Sequence, residues 1–207
     1  MIAPGVQAHL GRLAVVLTGG RSSRMGADKA TALLGGRRMI DHVVASCRAI
    51  DMEVRLAGTA VAGMESITLP DPPGLAGPAA GLAAAMRAFA GADVLLIGTD
   101  QPFVRSETLS ALLAVKGSAA VPIDGRRQPL CAVYRTECAP ELERLLAARP
   151  DPSLQTLLDR VEATDVTPEV WRSWGEDGRS WLSLDTPDAL AAAAASWPDP
   201  PLATIPS

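Results

Sequence analysis

A glycine-rich segment with three basic side chains is the part of the sequence best suited to bind a polyphosphate. It follows the apolar run Leu13–Leu17 and continues as Thr18-Gly19-Gly20-Arg21-Ser22-Ser23-Arg24-Met25-Gly26-Ala27-Asp28-Lys29. Paired glycines let the backbone turn sharply and approach a ligand, and successive N–H groups can form an anion-binding concavity. Each cation about 4 Å from a unit negative charge contributes roughly 4 kcal/mol of attraction at an effective dielectric constant of about 20.

This segment is neither a P-loop nor a dinucleotide-binding fingerprint. The GxxxxGK[ST] and GxGxxG patterns are both absent from it. A surface turn with solvated basic side chains would be the simpler interpretation of an isolated Gly-Gly pair with one arginine. The full string favours a functional loop instead.

Three aspartates at the predicted ends of strands are candidate ligands for a metal ion or a nucleotide. Asp100 follows the apolar run Asp93–Ile97, Asp71 begins the stretch Asp71-Pro72-Pro73-Gly74, and Asp185 precedes Thr186-Pro187. Mg²⁺ prefers hard oxygen ligands and typically sits on one or two carboxylates plus phosphate oxygens. Each aspartate also has a simpler interpretation: a turn residue for Asp100 and Asp71, and the N-cap of the last helix for Asp185.

Short β-type runs alternate with longer helical patterns, which predicts the elements that position these residues. The pattern indicates a Rossmann-like three-layer α/β/α fold with a mostly parallel central sheet, in which ligands bind at the carboxyl ends of the strands. The predicted strands are Leu13–Leu17, Val54–Ala57, Ser66–Leu69, Asp93–Ile97, Ala119–Val121, Leu130–Tyr134 and a last one near Trp181–Leu184. The predicted helices are Met39–Ile50, Ala79–Ala90, Ser106–Val115 with Ser106 as N-cap, Ala139–Ala148, Ser153–Val161 and Pro187–Ser196 with Thr186 or Asp185 as N-cap.

Composition excludes several classes of function. Of 207 residues, 48% are hydrophobic but only 3% are aromatic, and the four tryptophans lie at positions 171, 174, 181 and 197. An aromatic platform for single-stranded nucleic acid is therefore excluded, and the net charge of −4 argues against a general nucleic-acid or anionic-membrane surface. A base bound by the first half of the chain would be held by backbone amides and small side chains. The tryptophans are expected to pack the final elements on the sheet or to border the acceptor pocket.

The organisation expected is a single domain over residues 1–197 followed by a Pro-rich tail, 198–207, predicted to be disordered. The three cysteines contain no CxxC pair, so a disulfide framework and a zinc site are not expected. The first twelve residues lack a signal-peptide pattern, and the longest apolar stretch, Leu75–Ala90, is broken by Gly, Pro and Arg. We therefore expect a cytoplasmic protein without a membrane segment.

The glycine-rich string resembles the L-A-G-G-x-S-x-R-M-G-x-D-K signature of the nucleotidyltransferases that act on the molybdenum cofactor, the guanylyl- and cytidylyltransferases. The resemblance covers roughly residues 13–196, and Thr18 is its one departure within the string, where alanine is usual. It implies a fold of the nucleotide-diphospho-sugar transferase type. It also implies that the backbone of Leu17, Thr18, Gly19 and Gly20 approaches the nucleotide, that Lys29 contacts the phosphates and that Arg24 neutralises their charge.

Other segments resemble the same family. Asp100 matches an aspartate that binds Mg²⁺ and contacts the nucleotide, Asp185 matches the family's C-terminal motif as a second metal ligand, and Asp71 matches an aspartate that contacts the nucleotide. Gly77, at the start of Gly77-Pro78-Ala79-Ala80-Gly81, resembles the family's helix entry beside the nucleotide. The segment Arg126-Arg127-Gln128 resembles the acceptor-side segment. The family's Asn after the second strand is absent from Val54–Thr59, and Arg149-Pro150-Asp151-Pro152 lacks the Gly and Arg usual before Ser-Leu.

The resemblance implies transfer of GMP from GTP to the phosphate of molybdopterin carrying molybdenum, with release of pyrophosphate and with Mg²⁺ as cofactor. Lys29, Arg24 and Asp100 would be the catalytic residues. Transient contact with molybdoenzymes or other cofactor-maturation proteins is also an expectation. Cytidylyl transfer to the same cofactor and nucleotidyl transfer to another small phosphate stay open, as does a non-catalytic nucleotide-binding accessory role.

Overall fold

The computed structural model describes residues 11–19, 29–70 and 72–197. Within these ranges the strands are β1 Arg12–Leu17, β2 Leu33–Leu34, β3 Arg37–Arg38, β4 Glu53–Ala57, β5 Thr68–Leu69, β6 Asp93–Gly98, β7 Ala119–Asp124, β8 Arg126–Arg127, β9 Cys131–Tyr134 and β10 Ala163–Val166. The helices are α1 Met39–Arg48, α2 Gly77–Ala88, α3 Ser106–Ala114, α4 Ala139–Ala148, α5 Leu154–Leu158, α6 Pro168–Ser173 and α7 Pro187–Ala195. Gly20, Arg24, Asp71 and the tail 198–207 lie outside the described residues.

The strands form a mixed, mostly parallel sheet in the order β10-β7-β9-β6-β1-β4-β5, with β8 folded back on β7. Strand β9 is antiparallel to both β6 and β7, whereas β1 pairs in parallel with β4 and β6. A short antiparallel hairpin, β2–β3, lies apart from this sheet. The mostly parallel sheet predicted from the alternating pattern is confirmed.

Helices cover both faces of the sheet, which completes the three layers. Residues of β1 alternate between two cores: Leu13 and Val15 join α2, α4 and α5, while Ala14 and Val16 join α1, α3 and α6. A run of apolar residues buried on both faces is typical of a central parallel strand.

Small residues let α2 pack closely on the sheet beneath it. A β carbon placed on Gly81 would lie 2.7 Å from Leu17 Cδ2 and 3.1 Å from Ala57 Cβ, so a larger residue would push the helix away. Pro78 occupies the first turn of α2, where its missing N–H costs no helical hydrogen bond. The N-terminus of α2 is thus held beside the carboxyl ends of β1 and β4.

The C-terminal quarter differs most from the sequence prediction. The strand expected near Trp181–Leu184 is wrong: Arg179–Trp181 is a 3₁₀ turn, and Leu184 N donates to Asp100 O instead of joining a strand. Strand β10 and helix α6 were not predicted.

Helix caps correct one assignment and decide between the two capping candidates of the last helix. Ser106 is the first residue of α3, and its preceding residue, Arg105, makes no side-chain cap hydrogen bond. At α7 the capping side chain is Thr186, whose Oγ1 accepts from Ala189 N, so Asp185 is not the N-cap.

Two of the four tryptophans match the expectation for this region. Trp171 is buried, donates from Nε1 to Ile123 O and so fastens α6 to the edge of β7. Trp181 packs edge-on against Trp171 at a ring distance of 5.2 Å and borders a cavity described below. No helix among the described residues is long and apolar enough to cross a membrane.

Candidate active site

The carboxyl ends of β1 and β4 form the first wall of the site. Thr18 N donates to Ala57 O at 2.9 Å, and Thr18 Oγ1 donates to Thr59 O at 2.7 Å, so threonine ties the two strand ends together. A β carbon on Gly58, whose φ is +116°, would lie 2.5 Å from Gly19 N. Two glycine backbones therefore meet directly at this edge.

A cavity of about 510 Å³ opens beside this glycine contact, and we call it the glycine cavity. Backbone and small or aliphatic side chains dominate its wall, and no aromatic residue of the described ranges lines it. It is lined by Leu17, Gly19, Ala57, Gly58, Thr59, Leu75, Ala76, Gly77, Pro78, Gly81 and Asp151. The family resemblance implies that Leu17, Thr18, Gly19 and Gly77 lie beside a nucleotide, and the structure brings all four to this edge.

Asp100 lies immediately beyond β6 and is fixed from two sides. Ser183 Oγ donates to Asp100 Oδ2 at 2.6 Å, and the peptide N–H of Leu184 donates to Asp100 O at 2.8 Å. A β carbon on Gly98 would lie 2.4 Å from Asp100 Oδ1, so glycine leaves room for the carboxylate to lie against the strand. Both the carboxylate and the backbone of Asp100 therefore have set positions.

Lys29 approaches this carboxylate. Its Nζ lies 3.9 Å from Asp100 Oδ2, and each side chain is about one-fifth exposed, at 22% and 20%. The structure thus brings together two residues that are far apart in sequence and that the sequence analysis assigns to phosphate and metal binding. The pair is open enough to admit a ligand between or beside the charges.

Asp185 is close to this centre along the chain but makes no side-chain hydrogen bond or ion pair among the residues described. It follows Leu184, the residue whose N–H holds Asp100, and is partly buried. The described residues contain no group of three or more His, Cys, Asp or Glu side chains that could hold a metal ion.

A second cavity, of about 620 Å³, has Asp100 in its wall, and we call it the hairpin cavity because the β7–β8 turn forms another wall. Asp100, Gln101 and Ser183 form one part of its lining. The rest is lined by Asp124, Arg126, Arg127, Gln128, Pro129, Leu130, Gln155, Asp177, Gly178, Arg179, Trp181 and Leu182.

The acceptor-side candidates differ in how their polar groups are engaged. Arg127 is held by two carboxylates, with Nη1 2.8 Å from Asp159 Oδ1 and Nε 2.6 Å from Asp165 Oδ1. Hydrogen bonding to Asp165 raises the pKa of the Arg127 guanidinium above its ordinary value. Arg126 is exposed and has no ion pair within the described ranges, so of the two arginines it is the one available to an anion. The Gln128 side chain donates to Asp124 O and Arg126 O, both at 3.2 Å, and supports the turn.

A buried glutamate that the sequence analysis did not identify organises the far wall of the hairpin cavity. Glu176 is 3% exposed and accepts from Thr108 Oγ1, Ser180 Oγ and three backbone N–H groups. These donors fix the turn that carries Asp177, Gly178 and Arg179. No pattern in the sequence around Glu176 indicates its burial.

A smaller cavity of about 340 Å³ joins the two larger ones. It shares Pro78 and Asp151 with the glycine cavity, and Pro129, Leu130 and Gln155 with the hairpin cavity. The three together form one trough along the carboxyl edge of the sheet, with Asp100 in the wall of its acceptor-side half. Two ligands could meet in such a trough.

Comparisons with known proteins agree with this architecture. Residues 14–164 match the model of the MobA-like NTP transferase domain. The chain is 32% identical over 189 residues to a molybdenum cofactor guanylyltransferase of Rhizobium leguminosarum bv. trifolii, covering 86% of this chain and 90% of that one. It is 29% identical over 194 residues to a probable molybdenum cofactor guanylyltransferase of Chloroflexus aggregans, covering 88% and 93%.

A solved structure is similar over most of the chain. The crystal structure of molybdopterin-guanine dinucleotide biosynthesis protein A from Archaeoglobus fulgidus superposes with a TM-score of 0.74 and 25% identity, covering 88% of this chain and 96% of that one.

Proposed function

This chain belongs to the MobA-like NTP transferase family, and from that premise we propose that it moves GMP from GTP to the phosphate of molybdopterin carrying molybdenum. The observation that carries the proposal is the position of Asp100. Its carboxylate faces Lys29 and Ser183 in a trough that has a small-residue cavity at one end and a cavity with an exposed arginine at the other. The names of the relatives favour GTP and the molybdenum cofactor as the two substrates.

In this proposal the glycine cavity holds the guanosine. The backbone at Leu17, Thr18 and Gly19 approaches the nucleotide, and Gly77 lets the N-terminus of α2 face it. Lys29 binds the phosphates next to Asp100. Gly20, Arg24 and Asp71 contribute to the same nucleotide site by resemblance alone, because all three lie outside the described residues.

Mg²⁺ fits the donor set at Asp100. Carboxylate oxygens of Asp100 and, as a second ligand, Asp185 are the hard donors that this ion prefers, and phosphate oxygens would complete the coordination. When bound, the ion would neutralise phosphate charge and act as a Lewis acid. Ser183 keeps the Asp100 carboxylate aimed into the trough, which prepares that ligand before the nucleotide arrives.

The acceptor would lie in the hairpin cavity. Arg126 is the cation that we assign to its phosphate, and Gln128 holds the turn that presents Arg126. Arg127, which sequence resemblance also assigns to the acceptor, has its guanidinium between Asp159 and Asp165. We therefore give Arg127 the role of stabilising the cavity wall.

The reaction needs alignment and charge neutralisation more than covalent help. An oxygen of the acceptor phosphate attacks the α-phosphorus of GTP, a new P–O bond forms, and the bond to the β-phosphate bridging oxygen breaks. Pyrophosphate leaves with the bonding electron pair. Lys29 and Arg24 offset its charge, while the glycine segment and the hairpin cavity hold the two phosphates in line.

A pyrophosphate-release assay tests this proposal. The full chain is supplied with the molybdenum-loaded acceptor, Mg²⁺ and either GTP, CTP or ATP, and release is expected with GTP. Asp100→Ala should abolish turnover, and Lys29→Ala should lower kcat/KM by about 100-fold or more. Lys116→Ala, at an exposed lysine outside both cavities, is the matched control.

The outcomes separate the remaining alternatives. Preference for CTP would replace guanylyl by cytidylyl transfer, and GTP binding without pyrophosphate release would favour a non-catalytic accessory protein. Wild-type rates in both the Asp100 and the Lys29 variants would overturn the assignment of the site. Omitting Mg²⁺ in the presence of a chelator should stop release.

The proposed reaction would take place in the cytoplasm. Cys47, Cys131 and Cys138 are all free and buried, as suits a reducing compartment. Transfer of the product to molybdoenzymes would then occur through transient contacts.

A further inference from the structure

An aspartate in the wall of the glycine cavity lies directly against the start of α2. A β carbon placed on Gly77 would be 2.4 Å from Asp151 Oδ1 and 3.8 Å from its Oδ2. Gly77 also has a φ of +77°, so both its conformation and the neighbouring carboxylate require glycine there. The carboxylate consequently lies beside the cavity opening without an intervening side chain.

The segment that carries Asp151 is held firmly over the cavity. Prolines at 150 and 152 flank the aspartate and restrict its backbone, and Ala76 N donates to Pro150 O at 3.2 Å. Just beyond, Ser153 Oγ accepts from Gln155 N and caps α5. A carboxylate presented in this way loses little conformational freedom when a ligand binds.

The carboxylate oxygens of Asp151 accept no hydrogen bond from the described residues. No hydrogen bond or ion pair to its carboxylate is present among the described residues, in contrast to Asp124, Asp159 and Asp165, which accept from Trp181 or Arg127. An exposed carboxylate on a rigid segment at a ligand cavity can therefore accept hydrogen bonds from the ligand itself.

We infer that Asp151 determines base specificity by accepting from the N1–H and the 2-amino group of guanine. These two donors lie side by side on the base, and the two oxygens of one carboxylate match them. Cytosine and adenine instead place a ring-nitrogen acceptor beside their amino group, which would face the carboxylate lone pair to lone pair. The inference rests on the proposed function, in which the glycine cavity holds the base.

A purely structural role makes a different prediction. A carboxylate beside the N-terminus of α2 also interacts favourably with the positive end of the helix dipole. That role would affect thermal stability but would not distinguish one purine from another. Base analogues therefore separate the two roles.

The test compares binding of GTP, ITP and XTP to the full chain, measured calorimetrically, for wild type and Asp151→Asn. ITP lacks the 2-amino group, and XTP carries an oxygen in its place. Wild type should bind GTP about 10- to 100-fold more tightly than either analogue, as expected for hydrogen bonds to a charged group. Asp151→Asn should lose that preference and bind XTP more tightly than GTP, because an amide N–H can donate to the new oxygen.

Two further variants sharpen the result. Gly77→Ala, whose methyl group would displace Asp151, should lower GTP affinity without a gain for XTP. Glu162→Gln, at an exposed residue at the opposite edge of the sheet, should behave as wild type. Melting temperatures for every variant confirm that it is folded.

If Asp151→Asn binds GTP, ITP and XTP with the same order of affinities as wild type, the inference is overturned. This holds also if the substitution lowers the melting temperature. If wild type binds GTP tightly in that case, the proposed function survives. If wild type does not bind GTP at all, both fail.

Discussion

Gly58 meets Gly19 backbone to backbone: a β carbon on Gly58 would lie 2.5 Å from Gly19 N and 2.8 Å from Gly19 Cα. The contact joins the loops that follow β1 and β4, and both glycines line the cavity assigned to the nucleotide. No side chain separates the two strands at the point where the ligand would approach.

Gly58→Ala should therefore disturb the nucleotide site first. The new methyl group cannot fit against backbone atoms, and the φ of +116° is unfavourable for alanine, so the loop must shift. We expect GTP affinity to fall by about 10-fold or more, measured by calorimetry. Gly63→Ala, at a residue that also has positive φ but open space around it, is the control. Equal affinities for both variants would refute this steric account.

Ser183→Ala should lower the rate of the chemical step more than it lowers the affinity for the nucleotide. Its hydroxyl fixes the Asp100 oxygen that Lys29 also approaches, so its loss lets the carboxylate rotate. We expect kcat to fall by about 10-fold with little change in KM for GTP, from steady-state pyrophosphate release. Ser173→Ala, which removes an exposed hydroxyl on α6, should retain wild-type kinetics.

The two arginines of the β8 turn should separate into binding and structural roles. Arg126→Ala should raise KM for the acceptor by about 10-fold while leaving GTP affinity unchanged, because an exposed cation meets only the acceptor phosphate. Arg127→Ala should instead lower the melting temperature, because it leaves Asp159 and Asp165 without their shared cation. The opposite distribution of effects would reverse the assignment.

Glu176→Gln should destabilise the wall of the hairpin cavity. The amide nitrogen would face donors that now point at a carboxylate, which costs about 2–3 kcal/mol. In a chain of this length that corresponds to roughly 4–12 °C in Tm, measured by calorimetry or circular dichroism. A Tm within a degree of wild type would contradict the buried network. Glu162→Gln serves again as control.

Asp177→Asn should show a stability difference that depends on pH. The hydrogen bond from Arg179 holds the pKa of Asp177 below its ordinary value of 3.8. A lowered folded-state pKa stabilises the fold above the unfolded value, and this contribution disappears as pH falls through the lowered one. The Tm of wild type should therefore exceed that of the variant at neutral pH, and the gap should close below about pH 4. A gap that stays constant in acid would disprove the ion-pair explanation.

The central strands could be predicted because they are continuous apolar runs buried on both faces. Helix α4 was predicted with its observed bounds, Ala139–Ala148. Strand β10 was missed because it lies at the edge of the sheet and carries the exposed polar residues Thr164 and Asp165. The apolar letters at Trp181–Leu184 suggested a strand, but their backbone bonds go to Arg179 and Asp100 instead.

Site residues that belong to a local sequence motif were predicted, and those defined by long-range contacts were missed. Lys29 and Asp100 follow strands and were identified as candidates, although their catalytic roles stay predictions. Ser183, Glu176 and Asp151 were not identified, because each lies against a residue distant in sequence: Asp100, Thr108 and Gly77, respectively. Nothing local marks Ser183 as the residue that orients Asp100.

The hydrogen bond between Ser183 and Asp100 has a consequence for synthesis of the chain. The two residues are 83 positions apart, and Ser183 follows every strand of the sheet. At common translation rates the ribosome needs roughly 4–17 s to cover that distance. The last strand, β10, ends at Val166, so the sheet can be complete only roughly 1–3 s before Ser183 is added. Nucleotide chemistry would therefore begin only when this last segment docks.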